Sequence, residues 1–462
     1  MSENTISRGP SGLILNRRSF LRGAAGMAGM AALGPVLAAC GSSAPKSGAT
    51  ASATTTGAGT TATTGATAAK STGTISFGSN YSDPSTKAAF ATLVKQAEPA
   101  TGVKISVNTV DHNTFQNDIT SYLQGTPNDL FTWFAGYRMQ FFAQQNLLSQ
   151  IDDVWEKIGP NFNEATKNLS KGLDGHYYFV PLYNYPWVVW YNKSTFQQKG
   201  YAIPTTWADF MTLTKQMQKD KLIPLAFADK DLWPALGMFD IFDLRINGYD
   251  YHIKLMKHEV PWTDKGVTAV FDQWAELMPY LQSGANGRIW QDAATTLENK
   301  QAGMMFQGSN QVAANYAAKN LPDLDFFPFP EVNAAYGQDY MDAPADGFCL
   351  SRSSKNAAAA KSVLEYIGTG PAEAGFLQTD HWDVGLATGL IAPTYNAIQK
   401  KSVTAIAACK AVSQFGDRDT DPGFASNVLE PAIQTFIGNP KTSAIVSLQK
   451  SIEAQAKTIF TS

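Results

Sequence analysis

An α/β fold divided into two or more lobes is what the sequence predicts, and three observations carry that prediction. The chain has 462 residues, too many for one ordinary core of about 100–200 residues. Short apolar strands alternate with amphipathic helices along most of its length. The first three strand starts, Thr74, Val103 and Leu130, fall about 28 residues apart, close to the roughly 30 residues that a βαβ unit needs. That spacing implies parallel-type sheets flanked by helices.

Thr74-Ile75-Ser76-Phe77 is a short alternating strand ended by Gly78. Asp83-Pro84 opens a helix, proline being suited to the first turn, and its stripe runs Ala89, Phe90, Leu93, Val94, Ala97 until Gly102 closes it. Val103 to Val107 is the second strand, and a helix carrying Phe115, Ile119, Tyr122 and Leu123 follows. Leu130 to Phe134 is the third. Further along, Thr206 and Asp209 make a capping-box-like helix start. The strongest stripe runs Val267, Val270, Phe271, Trp274, Leu277, Met278, Leu281, with Gly284 placed to end it. Gly303 to Phe306 reads as a buried strand leading through Gln307-Gly308-Ser309-Asn310 into a helix. Phe326 to Phe329, Phe348 to Leu350 and a helix from Ala357 to Ile367 complete the alternation.

Residues 1–39 read as an address, not as fold. Asn16-Arg17-Arg18-Ser19-Phe20-Leu21-Arg22 precedes a mildly apolar run, Gly23 to Ala39, and resembles a twin-arginine export signal. Leu37-Ala38-Ala39-Cys40-Gly41 is similar to a lipoprotein processing box, implying cleavage before Cys40 and lipid on its thiol and amine. Residues 40–73 are then the lipidated cysteine and a flexible Ser/Thr/Gly/Ala tether with a reach of about 30 Å. Loss of residues 1–39 removes four Arg and one Glu, leaving 32 basic and 38 acidic residues. An acidic chain is no general nucleic-acid binder, and three cysteines make no disulfide scaffold.

Several segments resemble the solute-binding lipoproteins of carbohydrate ABC importers, the family of extracellular solute-binding proteins related to maltose-binding protein. They are Asp129-Leu130-Phe131-Thr132-Trp133-Phe134-Ala135-Gly136, Tyr177 to Leu182 leading to Val188-Val189-Trp190-Tyr191-Asn192-Lys193, Pro204 to Phe210, Gly303 to Ser309, and Ala343 to Phe348. The resemblance covers essentially all of 74–462. It implies a two-lobe periplasmic-binding-protein-like fold of type II, with a hinge between lobes and ligand in the cleft. Lobe 1 is expected at 74–188 plus 343–392 and lobe 2 at 189–342 plus 393–462. Crossings are expected near Val188–Tyr191, within Pro328–Ala343, and near Ile391–Pro393. The implied protein is monomeric and exported, and is lipid-anchored to the outer face of the cell membrane. It delivers a mono- or oligosaccharide to the transmembrane subunits of an importer.

A sugar offers a C–H face suited to aromatic rings and a rim of hydroxyls suited to carboxylates and amides. Open α/β sheets bind ligands beyond the carboxyl ends of strands, which selects candidates. Asn80 and Tyr81 follow the first strand; Trp133 and Gly136 end the third, although Trp133 alternates with Phe131 and could face the core. Asp111 and His112 follow the second strand, where a lone histidine is more often a solvated loop residue. Tyr183-Asn184-Tyr185-Pro186-Trp187 groups three aromatics and an amide before the first crossing. Trp233 and Trp290 are non-periodic tryptophans in loops, each equally a lid over packing. Gln307 and Ser309 lie at a strand end ahead of a helix, and Trp382-Asp383 sets an aromatic beside a carboxylate. For Asp346 the resemblance implies a hydroxyl acceptor, with a turn as the rival.

No phosphate loop, zincin helix or nucleophile elbow is present, and the five histidines are scattered. The expectation is a binding protein, not an enzyme, without metal or cofactor. Cys349 and Cys409 read as buried thiols. The rival functions are an anchored glycoside hydrolase, with two carboxylates about 5 or 6.5–9.5 Å apart, and an importer receptor for a polyamine or peptide.

Overall fold

A computed structural model describes residues 73–387 and 395–460. The export signal, Cys40, nearly all of the tether and the crossing expected near Ile391–Pro393 lie outside the described residues. The first strands are β1 (Gly73–Ser79), β2 (Val103–Thr109), β3 (Leu130–Phe134) and β4 (Phe179–Asn184). Next come β5 (Trp187–Asn192), β6 (Ile223–Ala226), β7 (Ala302–Gly308) and β8 (Leu324–Phe327). Last are β9 (Tyr340–Asp342), β10 (Ala345–Leu350), β11 (Val384–Gly385) and β12 (Ala411–Ser413). They form one sheet of order β11-β4-β10-β3-β1-β2, a second of order β6-β7-β5-β8, and the pair β12-β9.

The expected βαβ opening is present: β1 pairs parallel with both β2 and β3, and the helices Pro84–Thr101 and His112–Gln124 connect them. The sheets as wholes are mixed, however, because β10 runs antiparallel to β3 and β4, and β5 antiparallel to β7 and β8. A parallel pair needs a crossover connection. The strand β10 reaches the first sheet instead from the other sheet, so it enters from the cleft end and runs the opposite way.

Among the described residues, two connections join the sheets. The chain leaves the six-stranded sheet after Asn184 and enters the four-stranded sheet at Trp187. Tyr185-Pro186 is therefore the first crossing, and Val188–Tyr191 lies within β5 and not at the bend. The second runs from β8 to β10 through β9, and β12 pairs parallel with β9 beside it. Ser413 Oγ donates to Asp342 Oδ1 at 2.5 Å across that pair. After β12 the chain packs on the second sheet's side, where the helix Thr442–Ile459 meets Lys265–Leu277. That last helix stops at Leu277, and Met278–Tyr280 is a tighter 3-10 turn. Pro279, not the later Gly284, ends the α-helix, since proline cannot supply the next backbone N–H. Thr206 caps its helix as expected, accepting from the Asp209 N–H at 3.2 Å. Cys349 is buried and Cys409 half-buried, both as free thiols.

Pro181 sits in the middle of β4 and cannot donate to the ladder, and β10 accommodates it with a register shift between Asp346 and Gly347. A Cβ at Gly347 would stand 2.2 Å from the Val180 carbonyl oxygen and 2.8 Å from Pro181 Cα. Both neighbours are backbone and cannot move aside. Replacing Gly347 with Ala is therefore expected to cost about 1–3 kcal/mol, read as a lower urea midpoint at unchanged slope. An unchanged midpoint would show that the close approach is not maintained.

Candidate functional site: a cavity between the sheets

The ends of β1 and β2, the first crossing, the start of β10 and the segment after β12 converge on one cavity of about 120 Å³. A buried cavity of about 150 Å³ takes up benzene, so this is room for about one small ring. The loop after β1 contributes Asn80 to Thr86, and the start of the helix after β2 contributes His112, Asn113 and Gln116. Opposite stand Trp233, Trp290, Gln291, Asn310 and Gln311, while Phe415, Asp417 and Arg418 come from the segment after β12.

The aromatic walls are built from the core outward. Tyr183 stacks on Phe376 at 5.2 Å, and Tyr81 and Tyr185 each lie 6.2 Å from Tyr183. Trp187 stacks on Phe415 at 4.7 Å with an interplanar angle of 29°. Gly237 makes room for that stack, because a Cβ there would lie 2.4 Å from the indole. Phe415 holds φ 92°, unusual for a residue with a side chain. Trp233 donates from Nε1 to Asn113 Oδ1 at 3.2 Å, bridging the two sides at the rim.

Beneath the aromatics is a charged knot. Arg418 Nη1 donates to Asp346 Oδ1 at 2.5 Å, Nη2 donates to the Tyr185 hydroxyl at 2.9 Å, and the guanidinium lies 3.9 Å from the Phe134 ring centre. Burial works against the Arg418 charge, but Asp346 and then Tyr185 hold its pKa above the ordinary value. Burial likewise raises Asp346 against the pull of Arg418, and pushes Tyr81 and Tyr183 well above the usual phenol range. Arg138 Nη1 donates to Asp417 Oδ2 at 2.6 Å and to Gln116 Oε1 at 2.8 Å. Each deep carboxylate thus has its own arginine, and the floor is charge-balanced.

What the floor and walls lack is partners for several polar atoms. Asn80 Nδ2, Trp187 Nε1, Gln291 Oε1, Asn310 Oδ1, Gln311 Oε1 and Asp417 Oδ1 are buried and find no hydrogen-bond partner among the described residues. Buried polar groups are normally paired. Two donors and four acceptors around one small space suit a ligand whose groups both donate and accept, which hydroxyls do.

Of the residues singled out in the sequence, Asn80, Tyr81, Tyr183, Tyr185, Trp187, Trp233, Trp290 and Asp346 line the cavity. Trp133, Gly136, Asn184, Gln307, Ser309, Trp382 and Asp383 stand behind it. Trp133 is buried among Phe115, Phe134 and Phe142, the core alternative that period-two alternation left open. Gly136, at φ 90°, lets the Arg418 carbonyl pass 2.8 Å from where a Cβ would be. Asn184 is held in β4 between β10 and β11. Gln307 and Ser309 are almost fully buried in the strand and turn, leaving the lining to Asn310 and Gln311. Trp382 packs with Val188, Trp190 and Phe326, and Asp383 is wholly buried beside Asp380, its pKa raised well above normal by burial. Sequence reasoning missed Phe415, Asp417 and Arg418. An aromatic and a charge cluster flanking Gly416 were the available signal.

A mixed sheet pair, joined by crossings around a closed polar-aromatic cavity, defines a hinged two-lobe solute receptor. The chain belongs to the bacterial extracellular solute-binding protein family, whose model matches residues 83–373. It is 70% identical to the solved bacterial solute receptor AcbH, which shows an exclusive substrate preference for β-D-galactopyranose. That match covers 84% of this chain and 100% of that one with a TM-score of 0.83. A chitin oligosaccharide binding protein shares the fold at 20% identity and TM-score 0.74, over 83% of this chain and 100% of that one. Among curated proteins, an uncharacterised ABC transporter extracellular-binding protein of Pyrococcus horikoshii is 27% identical over 63% of this chain. The chain spans 66% of that relative, and 51% of a probable sugar-binding periplasmic protein of Rhizobium meliloti, which is 26% identical over 44% of this chain.

His112 is half-buried in the wall, and Gln116 Nε2 donates to its Nε2 at 2.6 Å, a bond that needs this ring nitrogen unprotonated. Burial first, then the Arg418 charge, pushes its pKa down to about 4. The folded state thus binds the proton less readily than the unfolded chain, where histidine titrates near 6.5. Its contribution to stability is full above that value and is lost as pH falls toward 4. NMR titration of the His112 ring is expected to show a midpoint near 4; an ordinary midpoint would mean that the ring is solvated.

Proposed function

We propose that this protein is the extracellular sugar receptor of an ABC importer and that it takes a single hexopyranose, β-D-galactopyranose in the first instance. The observation that carries the reading is the set of unpaired buried polar atoms and aromatic faces around a cavity of about 120 Å³. Its scale is that of one small ring, and the 70%-identical receptor supports the choice of sugar. A polyamine would need carboxylates left free to meet its charge. On the floor Asp346 and Asp417 are paired with Arg418 and Arg138, and only Asp83 and Asp111, at the partly exposed edge, carry no such pairing among the described residues. The same pairing argues against a hydrolase, which needs one carboxyl kept as a proton donor.

Lobe 1 carries β1 to β4, β10 and β11, and lobe 2 carries β5 to β8 and the stretch after β12. They close about Tyr185-Pro186 and the β9–β12 pair. Sugar stabilises the closed form through contacts that only that form offers, and the importer's transmembrane subunits take the closed monomer. Cys40 carries the lipid that keeps the exported protein at the membrane. Among the described residues no helix is long and apolar enough to cross a membrane.

Galactose at 100 times its dissociation constant is expected to add about 2.7 kcal/mol of stability, seen as a rise in thermal midpoint. A midpoint moved by polyamines or peptides and by no sugar would overturn the carbohydrate reading. Release of reducing ends at catalytic rates would overturn the non-enzymic one. For the anchor, Cys40→Ser is expected to move the protein from the membrane fraction to the soluble one. Retention at the membrane would refute lipidation at that position.

A further inference from the structure

The two carboxylates of the cavity floor differ in one respect. Asp346 has both oxygens occupied, Oδ1 by Arg418 Nη1 at 2.5 Å and Oδ2 by the Tyr183 hydroxyl at 3.2 Å. Asp417 is held only at Oδ2, by Arg138 Nη1 at 2.6 Å. Its Oδ1 accepts no hydrogen bond from the described residues, and Arg418 Nε stands 3.9 Å away, beyond bonding distance. The residue is 4% exposed and lines the cavity.

Asp417 is also held in one orientation. The Arg138 guanidinium lies 5.3 Å from the Trp133 ring centre and 5.7 Å from that of Phe134. It also donates to Gln116, whose amide is spent on His112. A guanidinium fixed by two rings and two acceptors fixes the carboxylate it grips. Resting on the sugar-receptor reading, we propose that Asp417 Oδ1 is the acceptor that selects one ring hydroxyl of the bound pyranose. Arg138 is its positioning residue. Asp346, the acceptor that family resemblance implied, instead serves to hold Arg418.

A charged acceptor in a closed site gives selectivity as well as affinity. Hydrogen bonds to ionised groups are the short, strong ones. An analogue lacking the matching hydroxyl leaves the carboxylate desolvated and unpaired, which is how polar sites reject ligands most steeply. An amide in place of the carboxylate keeps the shape and loses the charge.

The test is titration calorimetry on the purified mature protein, with galactose and its 2-, 3-, 4- and 6-deoxy analogues, for the wild type, Asp417→Asn and Arg138→Lys. In the wild type, one deoxy analogue is expected to bind at least about tenfold more weakly than galactose. Asp417→Asn is expected to weaken galactose by about 10- to 100-fold and to abolish the penalty for that one analogue only. Arg138→Lys keeps a charge but not the planar fork. It is expected to shrink the same penalty while the others stand, whereas a merely structural role would weaken every ligand in proportion. If Asp417→Asn does not fold, Asp417→Asn with Arg138→Gln, which removes both charges together, is carried through the same panel. Unchanged galactose affinity, or wild-type penalties for all analogues, overturns the proposal. Failure of the sugar-receptor reading looks different: the wild type then binds no sugar at all.

Discussion

The guanidinium of Arg418 ties together the segments at two passages between the sheets. It belongs to the segment that follows β12, it bonds Asp346 at the start of β10, and it bonds Tyr185 in the first crossing. Removing one partner of such a buried pair leaves an uncompensated charge, at about 3–5 kcal/mol. The surrounding details serve this contact. Phe134 ends β3 where its ring can lie beneath the guanidinium, and Gly136 lacks the side chain that would collide with the Arg418 carbonyl. The positive φ of Phe415 is the strain that turns the segment inward, of order 1–3 kcal/mol, and its stack on Trp187 offsets part of it.

Charge balance in the floor sets the chemistry above it. With Arg418 on Asp346 and Arg138 on Asp417, neither sign dominates. A neutral ligand therefore loses little by reaching the floor, while the further carboxylates Asp83 and Asp111 stand at the partly exposed edge. Aromatic faces from both sides then cover the C–H surface that hydroxyl-bonding groups leave untouched. The same dryness holds His112 neutral and the buried tyrosines protonated, so the wall presents donors and acceptors of fixed identity.

The fold was legible where local pattern decides it. The three opening strands, the Pro84 and Thr206 helix starts and the Ala357–Ile367 helix follow from periodicity and capping alone. The antiparallel course of β10 was not, because it depends on the chain arriving from another sheet. In the site, aromatics placed out of period at strand ends, such as Tyr183, Tyr185 and Trp187, were readable as surface-building residues. Trp133 was ambiguous because alternation fits both faces of a strand. Asp417 and Arg418 were invisible for a different reason: a short charge cluster looks like a solvated turn. Its meaning lies in partners 279, 72 and 233 residues away along the chain.

Placing recognition on a crossing segment has a consequence for closure. A ligand shifts a two-state equilibrium only by its differential contacts. Asp417 and Arg418 come from the stretch that packs on the second sheet's side, where the Gly416 N–H donates to Asp240 Oδ2 at 2.7 Å, and they bond Arg138 and Asp346 of the first sheet, so the floor itself bridges the two sides. Gln291, Asn310 and Gln311 line the cavity from the second sheet's side, opposite Asn80 and His112. The Trp233–Asn113 bond joins the same two sides at the rim. Floor and rim alike therefore contain bonds between the two sides. A substitution that breaks a floor pair should change the closed population as well as selectivity. The two properties are coupled in one small site.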